Sequence, residues 1–343
     1  MKNPVERLSG MLLGGDAQKA ALIFSERNRR YFTQFPATDG ALFITADKAY
    51  LLMDFRYEEA AHYGARNCEV IGFDSLMEKL QELIRKHGVK AVYLETETLS
   101  VAQAQRFEKA FAAAGPEALL TPELGRAVRS LRMIKSPEEI RKIEASQAIT
   151  DAAFEHILPY IREGVTEREL ALEIEFFMRH QGAENVAFDL IVAAGKNGSQ
   201  CHAVPSENRV QRGDFITMDT GALLDGYHSD MTRTVALGAV SEEQRAVYDT
   251  VLKAHLAVLD AVKPGLPCNE ADRIARDIIE KDYPGTFGHG LGHGVGVEIH
   301  EEPRFSRLDP TPCEAGMVVT DEPGIYLTCL LYTSPSPRDR TRS

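Results

Sequence analysis

Two aspartates, Asp219 and Asp230, flank the dipeptide Asp225-Gly226, which is a two-residue turn signal of the type I′ kind. A hairpin with this turn places both aspartates on one face, as diagonal neighbours roughly 7–8 Å apart at the backbone. Carboxylates that point together are costly unless positive charge lies between them, so the pair predicts a site for two cations. Taken alone, the segment is equally compatible with a solvated strand face that carries a turn aspartate.

Three histidines, His289, His293 and His300, lie within twelve residues of a glycine-rich segment. The alternating glycines exclude a stable helix, since each costs about 1 kcal/mol there, so His289 and His293 are not a helical zinc pair. On an extended strand these two share a face, whereas His300 has the opposite parity and joins them only through a bulge or bend. The segment is not a dinucleotide-binding loop either, because His293 stands where that motif needs its last glycine. One buried histidine is usually structural, but three so close together predict a site.

Two further pieces are weak signals by themselves. An apolar run over residues 317–321 predicts a strand that leads into Glu322 and a Pro-Gly turn, with Tyr326 just beyond it. His202 lies in the segment Cys201–Pro205. A glutamate at a strand end is ordinary, so these residues gain meaning only from the other two groups.

The elements that must position these residues fall in two halves. In the back half, Ser136, Thr166 and Ser241 each begin a capping signal for a helix, and a fourth helix is expected from about Asn269 to Asp282. Each pair of helices is followed by a strand-rich segment, which predicts a duplicated α+β unit around one site. In the front half, apolar strands alternate with a helix that ends at Gly88, which predicts an α/β layer structure.

Composition limits the function classes. The chain has 343 residues and a net charge of −12, from 39 Lys and Arg against 51 Asp and Glu, so it has no basic footprint for nucleic acid or an anionic membrane. It has five scattered cysteines without a CxxC motif, which argues against a disulfide framework and a cysteine zinc site. With no apolar run long enough to span a membrane and no secretory leader pattern, a cytoplasmic protein is expected.

Together, these groups resemble the pita-bread metallopeptidases of family M24, in the aminopeptidase P and prolidase (Xaa-Pro dipeptidase) branch. The resemblance runs from about Arg29 to Tyr326. Its motifs are DFRYEEAA in the front half and, in order through the back half, RMIKSPEEIRKI, HAVPS, GDFITMDTGA, DGYHSDMTRT, HGLGHGVGVEIHE and EPGIY.

The resemblance implies the fold and the domain organisation. Residues 1–133 would form an α/β creatinase-like N-terminal domain, and residues 134–327 an α+β pita-bread domain with a curved antiparallel sheet. Residues 328–343 would be a non-native tail. In this family the front domain often mediates dimers, so a homodimer is expected.

The resemblance also implies a metal centre and a reaction. Asp219 would bind one of two divalent ions and Asp230 would bridge both, with His293 and Glu322 completing the shells. A carboxylate-rich site with one imidazole suits Mn²⁺, with Co²⁺ and Zn²⁺ as alternatives. Two such ions share a hydroxide that attacks the carbonyl of an Xaa-Pro bond in a peptide substrate. Glu322 would be the general base and proton shuttle. His289 and His300 would donate hydrogen bonds to the substrate and the oxyanion, and His202 and Tyr326 would lie near the substrate.

One departure from the family pattern concerns the chain after Glu322. The family has a second glutamate there, in an Arg-x-Glu strand, that bridges both metals; here no glutamate follows Glu322. Residues 328–343 lack periodicity, are basic and resemble translated adaptor sequence. We therefore expect a gene product that continues past Leu327 into the missing strand, and a truncated sheet in the chain as it stands.

Three other functions fit the resemblance less well. A non-catalytic pita-bread protein that binds peptide or protein remains the main alternative, although four of the five ligands and all three family histidines are present. The metal-free creatine-hydrolysing relatives are disfavoured because Asp219, Asp230 and Glu322 are all carboxylates. Methionine aminopeptidases lack the front domain, which the first 130 or so residues supply here.

Overall fold

The computed structural model describes residues 2–327 and 331–333. The chain divides into two compact units, one ending at Arg132 and one beginning at Met133. The predicted tail 328–343 lies outside the described residues except for 331–333, which form a short strand paired with residues 325–327.

The first unit is built around a six-stranded mixed sheet with the strand order β4-β3-β2-β1-β5-β6. Its first three strands form an antiparallel meander, and the outer strands join in parallel. Its strands are β1 (Lys19–Ile23), β2 (Ala41–Ile44), β3 (Ala49–Met53), β4 (Glu69–Gly72), β5 (Ala91–Leu94) and β6 (Glu117–Leu119). Its helices are α1 (Pro4–Leu8), α2 (Glu26–Thr33), α3 (Glu58–Gly64), α4 (Leu76–His87), α5 (Val101–Ala114) and α6 (Glu123–Met133).

The burial of its central strands stabilises this sheet. Strands β2 and β3 are buried at every position, so their sequences are continuous apolar runs rather than alternating apolar and polar residues. Helix α4 begins at its cap Ser75, packs Leu80, Leu83 and Ile84 against the sheet and ends at Gly88, which adopts φ 64°. The predicted α/β layer structure is confirmed.

The second unit consists of two helix pairs, each followed by short strands. Its helices are α7 (Pro137–Ile157), α8 (Glu167–His180), α9 (Glu242–Ala261) and α10 (Cys268–Asp282). Its strands are β7 (Asn185–Val186), β8 (Ile191–Ala194), β9 (Phe215–Thr220), β10 (Ala222–Leu224), β11 (Tyr227–His228), β12 (Met231–Ala236), β13 (Gly292–Gly294), β14 (Glu301–Phe305), β15 (Ile325–Leu327) and β16 (Leu331–Thr333). The three predicted capping boxes at Ser136, Thr166 and Ser241 are present, each with its side chain accepting a backbone N–H three residues on.

The strands of this unit pair mostly in antiparallel ladders. Three-stranded groups have the orders β12-β9-β8 and β11-β10-β7, and two-stranded ladders join β13 to β14 and β15 to β16. The first helix pair packs on the sheet that carries β8, β9 and β12, while the second pair packs around the segment from Phe287 to Phe305. Each helix pair therefore supports one strand group. Across the described parts of both units, no helix is long and apolar enough to cross a membrane.

Candidate active site

The Asp225-Gly226 hairpin forms with the predicted register. Both turn residues have positive φ, 50° and 78°, as a type I′ turn requires. Thr232 pairs with Asp219 across the ladder of β9 and β12. The turn thereby brings Asp219, near the end of β9, and Asp230, just before β12, to the wall of one cavity of about 480 Å³.

The glycine-rich segment bends where the parity of its histidines requires it. The register between β13 and β14 shifts between His293 and Gly294, and beyond this bulge the His293 and His300 rings lie 4.4 Å apart, centroid to centroid. His300 therefore joins His293 despite its opposite parity. The predicted bend is confirmed.

Hydrogen bonds between segments distant in sequence bring Glu322 to the histidines. The Glu322 N–H donates to the Leu291 carbonyl and the Thr320 N–H to the His293 carbonyl, both at 2.8 Å. A Cβ at Gly292 would lie 2.1 Å from the Thr320 carbonyl oxygen, so only glycine permits this close approach. The prediction of a strand over 317–321 is wrong. The segment makes one isolated bridge and scattered hydrogen bonds instead, because the bulge prevents a regular ladder.

Asp230, His293 and Glu322 form a cluster whose ligand-type atoms all lie within 4.8 Å of one another. His293 Nε2 lies 3.3 Å from Glu322 Oε1 and 3.5 Å from Asp230 Oδ2. Asp219 lies outside this tight group but lines the same cavity as all three residues. Its Oδ1 oxygen and Glu322 Oε1 are buried and accept no hydrogen bond.

Burial and neighbouring charges shift the pKa values of all three carboxylates. Burial, with the nearby charge of Glu322, raises the pKa of Asp219 from its ordinary 3.8 to about 7. Burial and the charges of Asp219 and Glu322 raise the pKa of Asp230 well above its ordinary value. Burial also acts to raise the pKa of Glu322, but the close approach and charge of His293 outweigh it and leave that pKa lowered.

These observations fit a divalent cation. Three mutually repelling carboxylates surround one imidazole, and two of their buried oxygens have no donor. A cation placed among them would replace repulsion by attraction and satisfy the orphaned oxygens. Hard oxygen donors with a single nitrogen suit Mn²⁺-like ions.

The remaining predicted site residues divide into two places. His202 and His300 line the 480 Å³ cavity beside the carboxylates, and burial together with the charge of His293 lowers the pKa of His300. His289 and Tyr326 do not line that cavity; His289 Nε2 and the Tyr326 hydroxyl lie 2.8 Å apart. Tyr326 follows Glu322 by four residues, and the charge of His289 contributes to lowering the pKa of Glu322.

A second cavity, of about 700 Å³, shares two of the carboxylates with the first. Asp230 and Glu322 line both cavities. The larger one also runs along Met231 to Arg233 of β12 and along the segment 318–321. Within the described strands, β12 pairs with β9 alone, so its other edge borders this cavity.

Sequence reasoning missed several buried ionic groups that anchor the site loops. Glu167, which is fully buried, accepts hydrogen bonds from Ala194, Ser206 and Asn208, and so ties down the loop that carries His202. Further buried pairs are Lys135 with Glu301, and Asp272 with Arg276. A signal was available for the last pair, since Asp272 and Arg276 interrupt the apolar stripe of α10 at i, i+4 spacing.

Comparisons with known proteins agree with this architecture. Residues 141–335 match the model of metallopeptidase family M24, and residues 12–134 match that of the creatinase/prolidase N-terminal domain. An uncharacterized peptidase, YqhT of Bacillus subtilis, is 40% identical over 89% of this chain and 86% of its own. The Xaa-Pro dipeptidase of Pyrococcus horikoshii is 37% identical over 90% of this chain and 86% of its own.

Comparisons with solved structures agree with the same two-domain architecture. An Xaa-Pro dipeptidase from Bacillus anthracis superposes with a TM-score of 0.89 at 38% identity, covering 96% of this chain and 91% of that one. An X-Pro aminopeptidase from Thermotoga maritima gives a TM-score of 0.87 at 33% identity, covering 96% and 93%. With a creatinase/prolidase N-terminal domain followed by a pita-bread domain, this chain belongs to metallopeptidase family M24.

Proposed function

We propose that the protein is a dimetal exopeptidase that hydrolyses the Xaa-Pro bond at the N-terminus of peptides or in dipeptides. The observation that carries the proposal is the meeting of Asp219, Asp230, His293 and Glu322 on one cavity that His202 and His300 also line. The relatives named Xaa-Pro dipeptidase and X-Pro aminopeptidase support the substrate class.

The cluster would hold divalent ions, and we propose Mn²⁺. Asp219 would serve one ion, Asp230 both, and His293 and Glu322 would complete the set. When bound, such ions supply a water of lowered pKa as nucleophile and polarise the scissile carbonyl.

The protein's own residues would position the substrate and move its protons. Glu322 has a lowered pKa and a buried Oε1 oxygen without a donor, so at neutral pH it is a carboxylate able to accept a proton beside the reacting bond. His300, whose pKa is lowered, is a neutral imidazole at the same pH and donates an N–H toward the oxygen where negative charge develops. His202 and the His289–Tyr326 pair would bind the substrate near the cluster.

A further carboxylate is the part of the centre that the described residues do not supply. We propose that a strand pairs with the open edge of β12 in the 700 Å³ cavity, where Asp230 and Glu322 are both within reach. Such a strand would carry the second bridging glutamate, and adding it to the chain should tighten the binding of the second ion and raise the activity.

The test is hydrolysis of an Xaa-Pro dipeptide and an Xaa-Pro-Xaa tripeptide with and without Mn²⁺, in this chain and in one extended by the strand. Release of the first residue from both substrates indicates an aminopeptidase, and from the dipeptide alone a dipeptidase. Asp230→Asn should lower kcat/KM at least about 100-fold, whereas Asp249→Asn, at an exposed position of α9, should leave it unchanged. If the extended, metal-loaded chain cleaves no proline peptide, the proposal is wrong and the peptide-binding alternative takes its place.

Two further expectations accompany this function. We propose a homodimer, which sedimentation of the full chain would test, and a cytoplasmic location, which fractionation of the source cells would test.

A further inference from the structure

Helix α10 carries a buried ion pair in its otherwise apolar stripe. Arg276 Nε and Nη2 donate to the two oxygens of Asp272, each at 2.9 Å, so the pair is bidentate. Asp272 is fully buried, and its neighbours on the stripe are Ala271, Ala275 and Ile279. A buried ion pair is a poor device for stability, because an apolar pair of the same volume is often as favourable.

The other hydrogen bonds of the pair engage the loop that carries His289. Arg276 Nη1 donates to the Phe287 carbonyl at 2.7 Å and Nη2 to the His289 carbonyl at 2.8 Å. The Leu291 N–H donates to Asp272 Oδ1 at 3.0 Å. Phe287, His289 and Leu291 are therefore all hydrogen-bonded to the Asp272–Arg276 pair. The Arg276 guanidinium also lies 4.2 Å from the Phe287 ring centroid.

Two of these three residues, His289 and Leu291, are in contact with residues of the candidate active site. The Leu291 carbonyl accepts the N–H of Glu322 at 2.8 Å, so the backbone of a proposed ligand is bonded to the same residue that Asp272 holds. The His289 ring pairs with the Tyr326 hydroxyl at 2.8 Å. Displacing residues 287–291 would thus move Glu322 and His289 together.

We propose that Asp272 and Arg276 are positioning residues that set the geometry of Glu322 and His289 for metal binding and hydrolysis. The inference rests on the proposed function. A salt bridge at the same spacing on the exposed side of the helix is the natural comparison. Arg273 pairs there with Glu270 and Asp277 and is 59% exposed, so it shares the charge pattern but touches no part of the site.

The test compares Arg276→Lys with Arg273→Lys and Ile279→Val in the full chain. Lysine keeps the charge beside Asp272 but cannot reach the acid and both carbonyls at once. We expect Arg276→Lys to raise the Kd for Mn²⁺, measured from the EPR signal of free Mn²⁺, about tenfold. At saturating Mn²⁺ it should lower kcat for an Xaa-Pro dipeptide more than it changes KM. Arg273→Lys should change none of these, and Ile279→Val should lower Tm without changing the Kd for Mn²⁺.

Two results would overturn the inference. One is a Kd for Mn²⁺ within twofold of wild type in Arg276→Lys. The other is an equal loss of affinity in Ile279→Val at the same loss of Tm, which would make the pair merely structural. If Arg276→Lys does not fold, Asp272→Asn takes its place, because it keeps an acceptor for Leu291 but loses the bidentate pair. An extended, Mn²⁺-loaded protein that cleaves no proline peptide would refute the proposed function, while the Mn²⁺ comparison would still decide the positioning role.

Discussion

Replacing Asp219 by asparagine should make the metal-free protein more stable at high pH, although it removes a proposed metal ligand. In the folded protein the pKa of Asp219 is raised to about 7, against 3.8 for the ordinary carboxyl. Below 3.8 both folded and unfolded chains hold the proton; between 3.8 and 7 only the folded chain holds it. The stabilisation is therefore present at low pH and is lost as the pH rises toward 7.

The size of the effect follows from these two values. Between pH 5 and 7 the wild type loses about 1.36 kcal/mol for each pH unit, or at most about 3 kcal/mol. Asp219→Asn should abolish that loss, since asparagine keeps the shape of the protonated acid and does not titrate. The stability difference between D219N and wild type should thus widen by up to about 3 kcal/mol between pH 5 and pH 8, which corresponds to about 6–12 °C in Tm.

The assay is thermal unfolding of both proteins in EDTA at pH 5 and pH 8. Adding Mn²⁺ at pH 8 should raise the Tm of the wild type, because an ion that binds only the folded state stabilises that state. It should hardly raise the Tm of D219N, which lacks a proposed metal ligand. A difference between the two proteins that stays constant or narrows as the pH rises would refute the reasoning. Asp249→Asn, at an exposed site, is the matched control and should follow the wild type at both pH values.

Three other predictions concern the glycine-rich segment, the loop of His202 and the metal. Gly292→Ala should destabilise the protein by about 2 kcal/mol or more in urea unfolding, since its Cβ would lie 2.1 Å from a backbone oxygen, whereas Gly288→Ala, with nothing within 4 Å, should be neutral. Glu167→Gln should lower the free energy of unfolding by about 2–3 kcal/mol and raise KM by loosening the His202 loop, because the amide N–H groups would face the N–H groups that now donate to Glu167. Glu163→Gln, at an exposed position, is the control, and equal unfolding midpoints for the two variants would contradict this role. Dialysis against EDTA should abolish Xaa-Pro hydrolysis and Mn²⁺ should restore it, while activity that survives full metal removal would contradict a metal-dependent reaction.

Local signals were enough to predict much of the architecture. The hairpin register followed from Asp225-Gly226 alone, because a two-residue turn fixes which residues face each other. The starts of the capped helices were likewise predicted from local sequence signals. The bend between His293 and His300 followed from strand parity, although the sequence did not say where the bulge would be.

What the sequence could not predict depends on contacts between distant segments. The pairing of Glu322 with Leu291 joins residues that no turn signal connects. The predicted strand before Glu322 proved irregular because the bulge after His293 interrupts the pairing, and the sequence did not say where that bulge would be. The anchoring role of Asp272 and Arg276 was likewise not predictable: their interruption of the apolar stripe of α10 marks the pair as buried, but it does not show which loop the pair contacts. Only the fold shows that this loop is the one that carries His289.

The most direct test of the central claim is an anomalous difference map from crystals of the protein soaked in Mn²⁺. We expect a strong peak bonded to Asp230, His293 and Glu322, with any second peak beside Asp219. A map without a peak in this cluster, from crystals in which Mn²⁺ binds elsewhere or not at all, would contradict it.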